Sequence, residues 1–260
     1  MVTMCTRRST SPLHGTMIVS KRFRKTFASK TGPGSGVTLG QLTLIRYFHQ
    51  RYHLFERYDE GVLLTDDAWF GVTPEYIART IATHVGNAAG SEKMTIVDAF
   101  AGVGGNAIAF ALSGRWERVF AIEKDPETLK CAKHNAEIYG VGNKIWWIEG
   151  DCLDIVPKRF PNMKETVVFA SPPWGGVSYR HQPVFDLETM QPYGLKELYR
   201  TLSRCSKELV LYLPRTSDLN QVARYAPDGT KTLVAHYCLR GASKVRHTSS
   251  FVDFWVLALN

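Results

Sequence analysis

A mostly parallel α/β fold, a seven-stranded sheet with helices on both faces, is predicted by three features of this 260-residue chain. Short apolar runs alternate with segments of helical periodicity from residue 94 onward, the pattern of a parallel sheet whose crossovers are helices. A glycine-rich turn follows the first of these runs, and acids or a turn end each of the next three. The last two runs have no helical pattern between them, so they should form an antiparallel pair at the sheet edge.

The strand candidates are Met94–Phe100, Arg118–Ile122, Lys144–Ile148, Thr166–Ala170 and Glu208–Leu213, then Thr232–Leu239 and Phe251–Leu259 for the terminal pair. Helical patterns near 105–113, 126–139, 194–206 and 217–225 lie between them, with Leu129, Ala132, Ala136 and Tyr139 on one face of the second. Upstream, Leu42, Ile45, Phe48, Tyr52, Phe55 and Tyr58 recur at spacings of three or four and predict an amphipathic helical segment over Leu39–Tyr58. Thr73-Pro74-Glu75 predicts another helix start. Thr73 would cap it, Pro74 sits where a missing N–H does no harm, and Glu75 favours the dipole. That helix should run to about Val85, with a loop over Gly86–Lys93.

Three regions follow from this reading: a basic arm over 1–36, a helical extension over 37–90, and the main domain over 91–260. The arm holds Lys21-Arg22-Phe23-Arg24-Lys25, which reads as a nuclear-import signal, an RNA-touching patch or a solvated tail. Composition sets limits. A content of 44% hydrophobic residues suffices for a core, and a net charge of +8 with a pI near 9.3 favours a polyanionic partner, nucleic acid first. Five scattered cysteines without a Cys-x-x-Cys pair suggest neither a disulfide framework nor a metal centre, and a reducing compartment fits. No apolar stretch reaches membrane-spanning length.

The chemistry collects at strand ends. Asp98-Ala-Phe-Ala-Gly102-Val103-Gly104-Gly105-Asn106 follows the first run and opens a helix, so a ligand can approach its backbone closely and meet helix-terminal N–H groups. Gly102-x-Gly104-x-x-Ala107 satisfies the dinucleotide fingerprint, and Glu123, 21 residues beyond Gly102, stands where a ribose-binding acid belongs. On spacing alone a dehydrogenase stays open. Against it, Asp98 would repel a pyrophosphate but suits the ammonium of a methionine moiety. Asp151, in Glu149-Gly-Asp-Cys152, could receive an adenine amino group. Ser171-Pro172-Pro173-Trp174-Gly175-Gly176 ends the fourth run in a rigid turn with free carbonyls beside a flat aromatic, or else simply buries Trp174 in a core. Asp98, Glu123, Asp151 and Ser171 thus end four successive strands, which suggests S-adenosylmethionine and methyl transfer to a planar amine.

Together with Asn135-Ala-Glu-Ile-Tyr-Gly140, Arg51-Tyr-x-Leu-Phe55 and Trp69-Phe-x-Val-Thr-Pro-Glu75, these motifs resemble, over about residues 46–226, the trimethylguanosine synthase family of RNA cap guanosine-N2 methyltransferases. The resemblance implies a Rossmann-like class I methyltransferase that dimethylates the 2-amino group of a 7-methylguanosine cap on small nuclear and nucleolar RNAs. It implies cofactor contacts from Phe55, Thr73, Asp98, Gly102, Val103, Gly104, Gly105, Glu123, Lys124, Asp151 and Cys152. Catalytic roles fall to Ser171, Pro172 and Trp174, with Trp174 stacked on the methylated base. Asn135 goes to the base edge, and Arg46, Tyr179 and Arg215 to the cap phosphates. Glu123 and Arg46 stand where the family often has Asp and Lys, and Cys152 replaces a more usual aromatic beside the adenine. Capped RNA, RNP proteins as further partners, a monomeric state and a nuclear site of action, nucleolar or Cajal-body-like with the cytoplasm also open, complete the expectation. The alternatives are an N2-guanine or N6-adenine methyltransferase acting on internal bases, and a non-catalytic cap-binding module.

Overall fold

The computed structural model describes residues 47–175, 182–214, 216–225, 233–239 and 252–259. Five parallel strands form its centre: β1 (Thr95–Asp98), β2 (Arg118–Glu123), β3 (Ile145–Glu149), β4 (Thr166–Ala170) and β5 (Leu209–Pro214). The terminal pair is antiparallel as expected, but β7 (Val252–Leu259) pairs with β5 and carries β6 (Leu233–Leu239) outside it. Among the described residues the sheet order is therefore β3-β2-β1-β4-β5-β7-β6. Strands β1, β4 and β5 are buried along their whole length, which is why their sequences read as mainly apolar runs, as strands covered on both faces do. Strand β3 alternates instead and leaves Trp146 half exposed at the edge.

Helices cover the two faces. On one, α3 (Glu75–Ala88) and α4 (Gly105–Leu112) pack with Ile96, Phe169 and Tyr212 in a single core layer. On the other, α6 (Cys152–Arg159), α7 (Leu195–Leu202) and α8 (Leu219–Ala223) pack with Val97, Val168 and Leu211. Helix α5 (Pro126–Ile138) links β2 to β3, with Asp125 capping it by accepting from Thr128 N at 2.7 Å. Helix α6 has no counterpart in the sequence reading. It is eight residues long and contains Pro157, which in a sequence argues against a helix interior.

The helical extension differs most from expectation. The described part of Leu39–Tyr58 is not one helix but a helical end at Tyr47 and Phe48, α1 (Arg51–Leu54), and a 3₁₀ turn at Tyr58–Glu60. Burial of Leu54, Phe55 and Tyr58 breaks it, with Phe55 in an extended conformation at φ −143° and ψ 116°. Arg51 fixes the fold-back: its guanidinium lies 4.4 Å from the Phe48 ring centroid and 4.2 Å from that of Tyr52, and donates to Phe48 O at 3.1 Å. A second short helix, α2 (Ala68–Gly71), buries Trp69.

Thr73 does not cap α3. Pro74 is the N-cap, without a side-chain hydrogen bond, and Thr73 Oγ1 accepts instead from Asn106 Nδ2 at 3.0 Å. The helix also passes Gly86 and ends at Ala88. Arg115 packs across that glycine, where a Cβ would meet its Cγ at 3.1 Å, and donates to the carbonyls of Gly86, Gly90 and Lys93. A long-range partner thus extends the helix where local propensity would stop it.

Candidate active site

The strand order reverses between β1 and β4, and crevices beyond the carboxyl ends at such a point are where open α/β sheets bind ligands. Asp98 ends β1 there, fully buried, in register with Phe169 of β4. Its Oδ1 accepts from Phe100 N at 3.3 Å, and Oδ2 is buried without a hydrogen-bond partner. Burial pushes its carboxyl up to about 7. The N–H groups of Phe100 and Ala107 pull against that shift, and the Glu123 charge adds to it. A buried acid with one unfilled oxygen is poised to receive a cation.

The glycine turn follows. Gly102 and Gly104 adopt φ +52° and +95°, and a Cβ on Gly104 would meet Ile108 Cδ1 at 3.3 Å and the Ala132 backbone at 3.4 Å. Only glycine holds this turn without strain and lets α4 start so close to α5. A Cβ on Gly102, by contrast, would meet nothing within 4 Å. That space is open to a ligand. Glu123 braces the turn from the end of β2: its Oε2 accepts from Gly102 N and its Oε1 from Asp125 N, both at 2.9 Å. Val103 is buried, and its carbonyl accepts from Asn135 Nδ2 at 3.0 Å.

Beyond β3, Asp151 caps α6, with Oδ1 accepting from Leu153 N at 2.9 Å and Oδ2 from the Tyr193 hydroxyl. Cys152 turns inward instead of lining the rim. It is 4% exposed among the second core layer, and burial pushes its thiol up to about 12. Lys124 is exposed beside Tyr193, its Nζ 5.8 Å from the ring centroid. At the end of β4, the Ser171 hydroxyl donates to Phe100 O at 3.4 Å, Pro172 is buried, and Trp174 is half-buried between the two core layers, 6.1 Å from the Tyr212 ring. The turn is rigid, and its tryptophan is neither plain core nor plain surface.

Asn135 needs correction. It does not present its amide to the rim. It is fully buried, donating to Leu63 O at 2.9 Å and Val103 O at 3.0 Å and accepting from Leu63 N at 2.8 Å. An amide with those bonds made is a staple between the extension and the glycine turn. Phe55 is buried against Tyr139, and the two share a small cavity with Gly105. Thr73 is buried beneath the same turn, its carbonyl 3.4 Å from where a Gly105 Cβ would stand. Arg46, Tyr179 and Arg215 lie outside the described residues, as does residue 176. Tyr193 and Glu75 were missed. Glu75 accepts from Glu56 N at 2.7 Å, from the Tyr139 hydroxyl and from Arg79, tying the extension to α5. Tyr193 had no sequence signal, its partner Asp151 being 42 residues away, and Glu75 read only as a helix-start acid, its bond from Tyr139 spanning 64 residues.

A family model described as RNA cap guanine-N2 methyltransferase matches residues 93–248, more than half of the chain. The chain belongs to that family. It is 38% identical over 203 residues to trimethylguanosine synthase of Schizosaccharomyces pombe, covering 77% of this chain and 83% of that one. To trimethylguanosine synthase of Saccharomyces cerevisiae it is 37% identical over 184 residues, or 70% of this chain and 58% of that one. Among solved structures, the delta-N METTL16 MTase domain superposes with a TM-score of 0.53 at 15% identity, over 82% of this chain and 93% of that one, a likeness of fold alone.

The family's cofactor is S-adenosylmethionine, and the dehydrogenase alternative falls with that membership. The rim fits the group. Asp98 offers an unfilled buried oxygen, the Gly102 turn leaves open space, and Glu123 and Asp151 keep lone pairs beyond the backbone bonds they accept. One carboxylate at the end of β2 and another just beyond β3, a buried acid ending β1 and an aromatic beside the proline turn after β4 together can hold a charged nucleoside against a planar base.

Proposed function

We propose that this enzyme of the cap guanine-N2 methyltransferase family methylates the exocyclic N2 of a 7-methylguanosine RNA cap twice, giving 2,2,7-trimethylguanosine. The carrying observation is the meeting of the Asp98–Glu123–Asp151 rim and the Ser171–Trp174 turn at the β1/β4 switch point. Asp98, the Gly102–Gly105 turn, Glu123, Lys124 and Asp151 would hold S-adenosylmethionine, with Phe55, Thr73 and Cys152 packed behind. When bound, that cofactor supplies an electrophilic methyl on a sulfonium.

Trp174 selects the base. A 7-methylguanine ring carries positive charge, so stacking on an indole gains a cation–π contribution of about 1–2 kcal/mol when desolvated. Plain guanine forgoes it. The ring charge also acidifies the 2-amino group, so no strong general base is demanded and positioning supplies most of the acceleration. The Ser171 hydroxyl directs its proton at Phe100 O, which leaves its lone pairs, with the Pro172 carbonyl, to accept the amine hydrogens and aim the nitrogen. Arg46, Tyr179 and Arg215 would hold the cap phosphates. Residues 1–36 hold seven Lys and Arg and no Asp or Glu, so most of the chain's excess charge of +8 sits in the arm. That distribution supports a second role for the arm, contact with RNA phosphates beyond the cap, with the salt dependence such contacts bring.

Small nuclear and nucleolar RNAs are the substrates on this reading, met in the nucleus, in company with RNP proteins, by a monomeric enzyme. No helix among the described residues is long and apolar enough to cross a membrane. Radiolabelled S-adenosylmethionine with an m7G dinucleotide cap tests the activity: label should enter the cap in two successive steps. Transfer to unmethylated RNA with none to the cap would overturn it in favour of an internal-base methyltransferase.

A further inference from the structure

The connection from β4 to α7 brings an aromatic to the far side of the rim. After the 3₁₀ turn Leu187–Thr189, Tyr193 returns to the sheet, half-buried, and packs against the core layer that contains Ile122 and Cys152. Its hydroxyl donates to Asp151 Oδ2, and Lys124 Nζ stands 5.8 Å from its ring centroid. Lys124 follows β2 and Asp151 follows β3, two neighbouring strands. The ring therefore bridges their ends. Cys152, next in the chain, points its thiol into the core and offers no wall there.

We propose that Tyr193 is a cofactor-binding residue: its ring forms the aromatic wall against which the adenine of S-adenosylmethionine lies, beside Asp151. This rests on reading the rim as the cofactor's seat. A purine presents a flat π face that gains from stacking on an aromatic whatever its edge contacts. The ring is also held before the ligand arrives, by Asp151 at its hydroxyl and by Lys124 near its face, so little side-chain entropy remains to be lost on binding. Asp151 keeps its own role. Each of its oxygens accepts one hydrogen bond, from Leu153 N and from Tyr193, and a carboxylate has about four acceptor positions in all. The adenine amino group can therefore meet Asp151 while the base meets the ring.

Calorimetric titration of the full chain with S-adenosylhomocysteine, and separately with adenosine, tests this on Tyr193→Phe, Tyr193→Leu and Tyr193→Ala. Leu and Ala should weaken both ligands by roughly tenfold, the size expected for one lost base–aromatic stack, while Phe stays within about threefold. In steady state with an m7G cap the loss should fall on the KM for S-adenosylmethionine rather than on kcat, which a merely structural role would not sort in this way. Leu keeps apolar packing without a π face, so it decides the question even if Ala lowers the melting temperature. Wild-type affinity in the Leu variant would overturn the proposal. So would a Phe variant as weak as Ala, because the Asp151 bond alone would then carry the effect. A wild-type protein that binds S-adenosylhomocysteine but leaves the cap unlabelled would break the functional reading, and the titrations would still decide the role of Tyr193.

Discussion

The two halves of the rim are built in different ways. On the β1–β2–β3 side four of the six carboxylate oxygens of Asp98, Glu123 and Asp151 accept from backbone: Glu123 from Gly102 and Asp125 N–H, Asp151 from Leu153 N–H, Asp98 from Phe100 N–H. On the β4 side the Ser171–Trp174 turn is held by prolines and by packing between two core layers, with one long hydrogen bond from Ser171. The first half is set by local hydrogen bonding and tolerates little change in residue type. The second is set by shape, with one half-buried aromatic, Trp174, packed between the layers. Damage to the first should therefore appear in cofactor affinity and stability, and damage to the second in base selection.

The sharpest break is Trp174→Ala. Loss of base stacking together with the cation–π contribution, about 2–5 kcal/mol between them, should lower kcat/KM for an m7G cap by roughly thirtyfold to several thousandfold. Affinity for S-adenosylhomocysteine should stay within about threefold, measured by calorimetry. Equal losses in both would erase the division between the halves, and an unfolded variant would make Trp174 a core residue.

Asn135→Ala comes next. It strands Leu63 N–H and the carbonyls of Leu63 and buried Val103, so unfolding free energy should drop by about 3 kcal/mol in a urea titration. Because its amide is spent on the backbone, the folded fraction should keep its KM for the cap. A raised cap KM with unchanged stability would return Asn135 to the base edge.

Asp98→Asn should weaken S-adenosylhomocysteine by roughly thirtyfold, the loss of one buried charge-assisted contact of about 2 kcal/mol. Its pH behaviour is more telling. The folded carboxyl titrates at about 7, above its ordinary 3.8. Its contribution to the free protein's stability is therefore fully present below about pH 4 and is lost as pH rises through 7, by about 4 kcal/mol at most. Thermal melts of the ligand-free protein should show that decline, and the Asn variant should flatten it. Ligand affinity should run the other way, rising between pH 6 and 8 as the carboxylate ionises to meet the ammonium, and the Asn variant should lose that rise as well.

The smallest effect is expected from Gly104→Ala. A side chain at φ +95° against Ile108 and Ala132 should cost about 1–2 kcal/mol of stability, read as a lower melting temperature with a few-fold weaker cofactor binding. A stabilised variant would mean that the turn is not the constrained half.

Much of this was legible in the chain. The five parallel strands fell within a residue or two of their predicted places, because strands covered by helices, wholly as in β1, β4 and β5 or in part as in β2 and β3, concentrate apolar residues into short runs. The turns at their ends were legible too, since left-handed backbone asks for glycine and a stopped ladder tolerates proline. What misled was side-chain purpose. Thr73 has the right residue type for a cap and spends its hydroxyl on Asn106; Asn135 sits in a recognisable motif and spends its amide on residues 63 and 103.

The sequence alone determined the sheet, the glycine turn, the acids at strand ends and the Pro-Pro-Trp turn, because each depends on what neighbouring residues permit the backbone to do. Only the tertiary structure decided that β7 lies inside β6, that Cys152 turns inward, that the extension folds back around Arg51 and that Tyr193 reaches Asp151. Those outcomes depend on side-chain partners, mostly tens of residues away, and a hydrogen bond or a packed ring leaves no periodic trace in the chain that makes it.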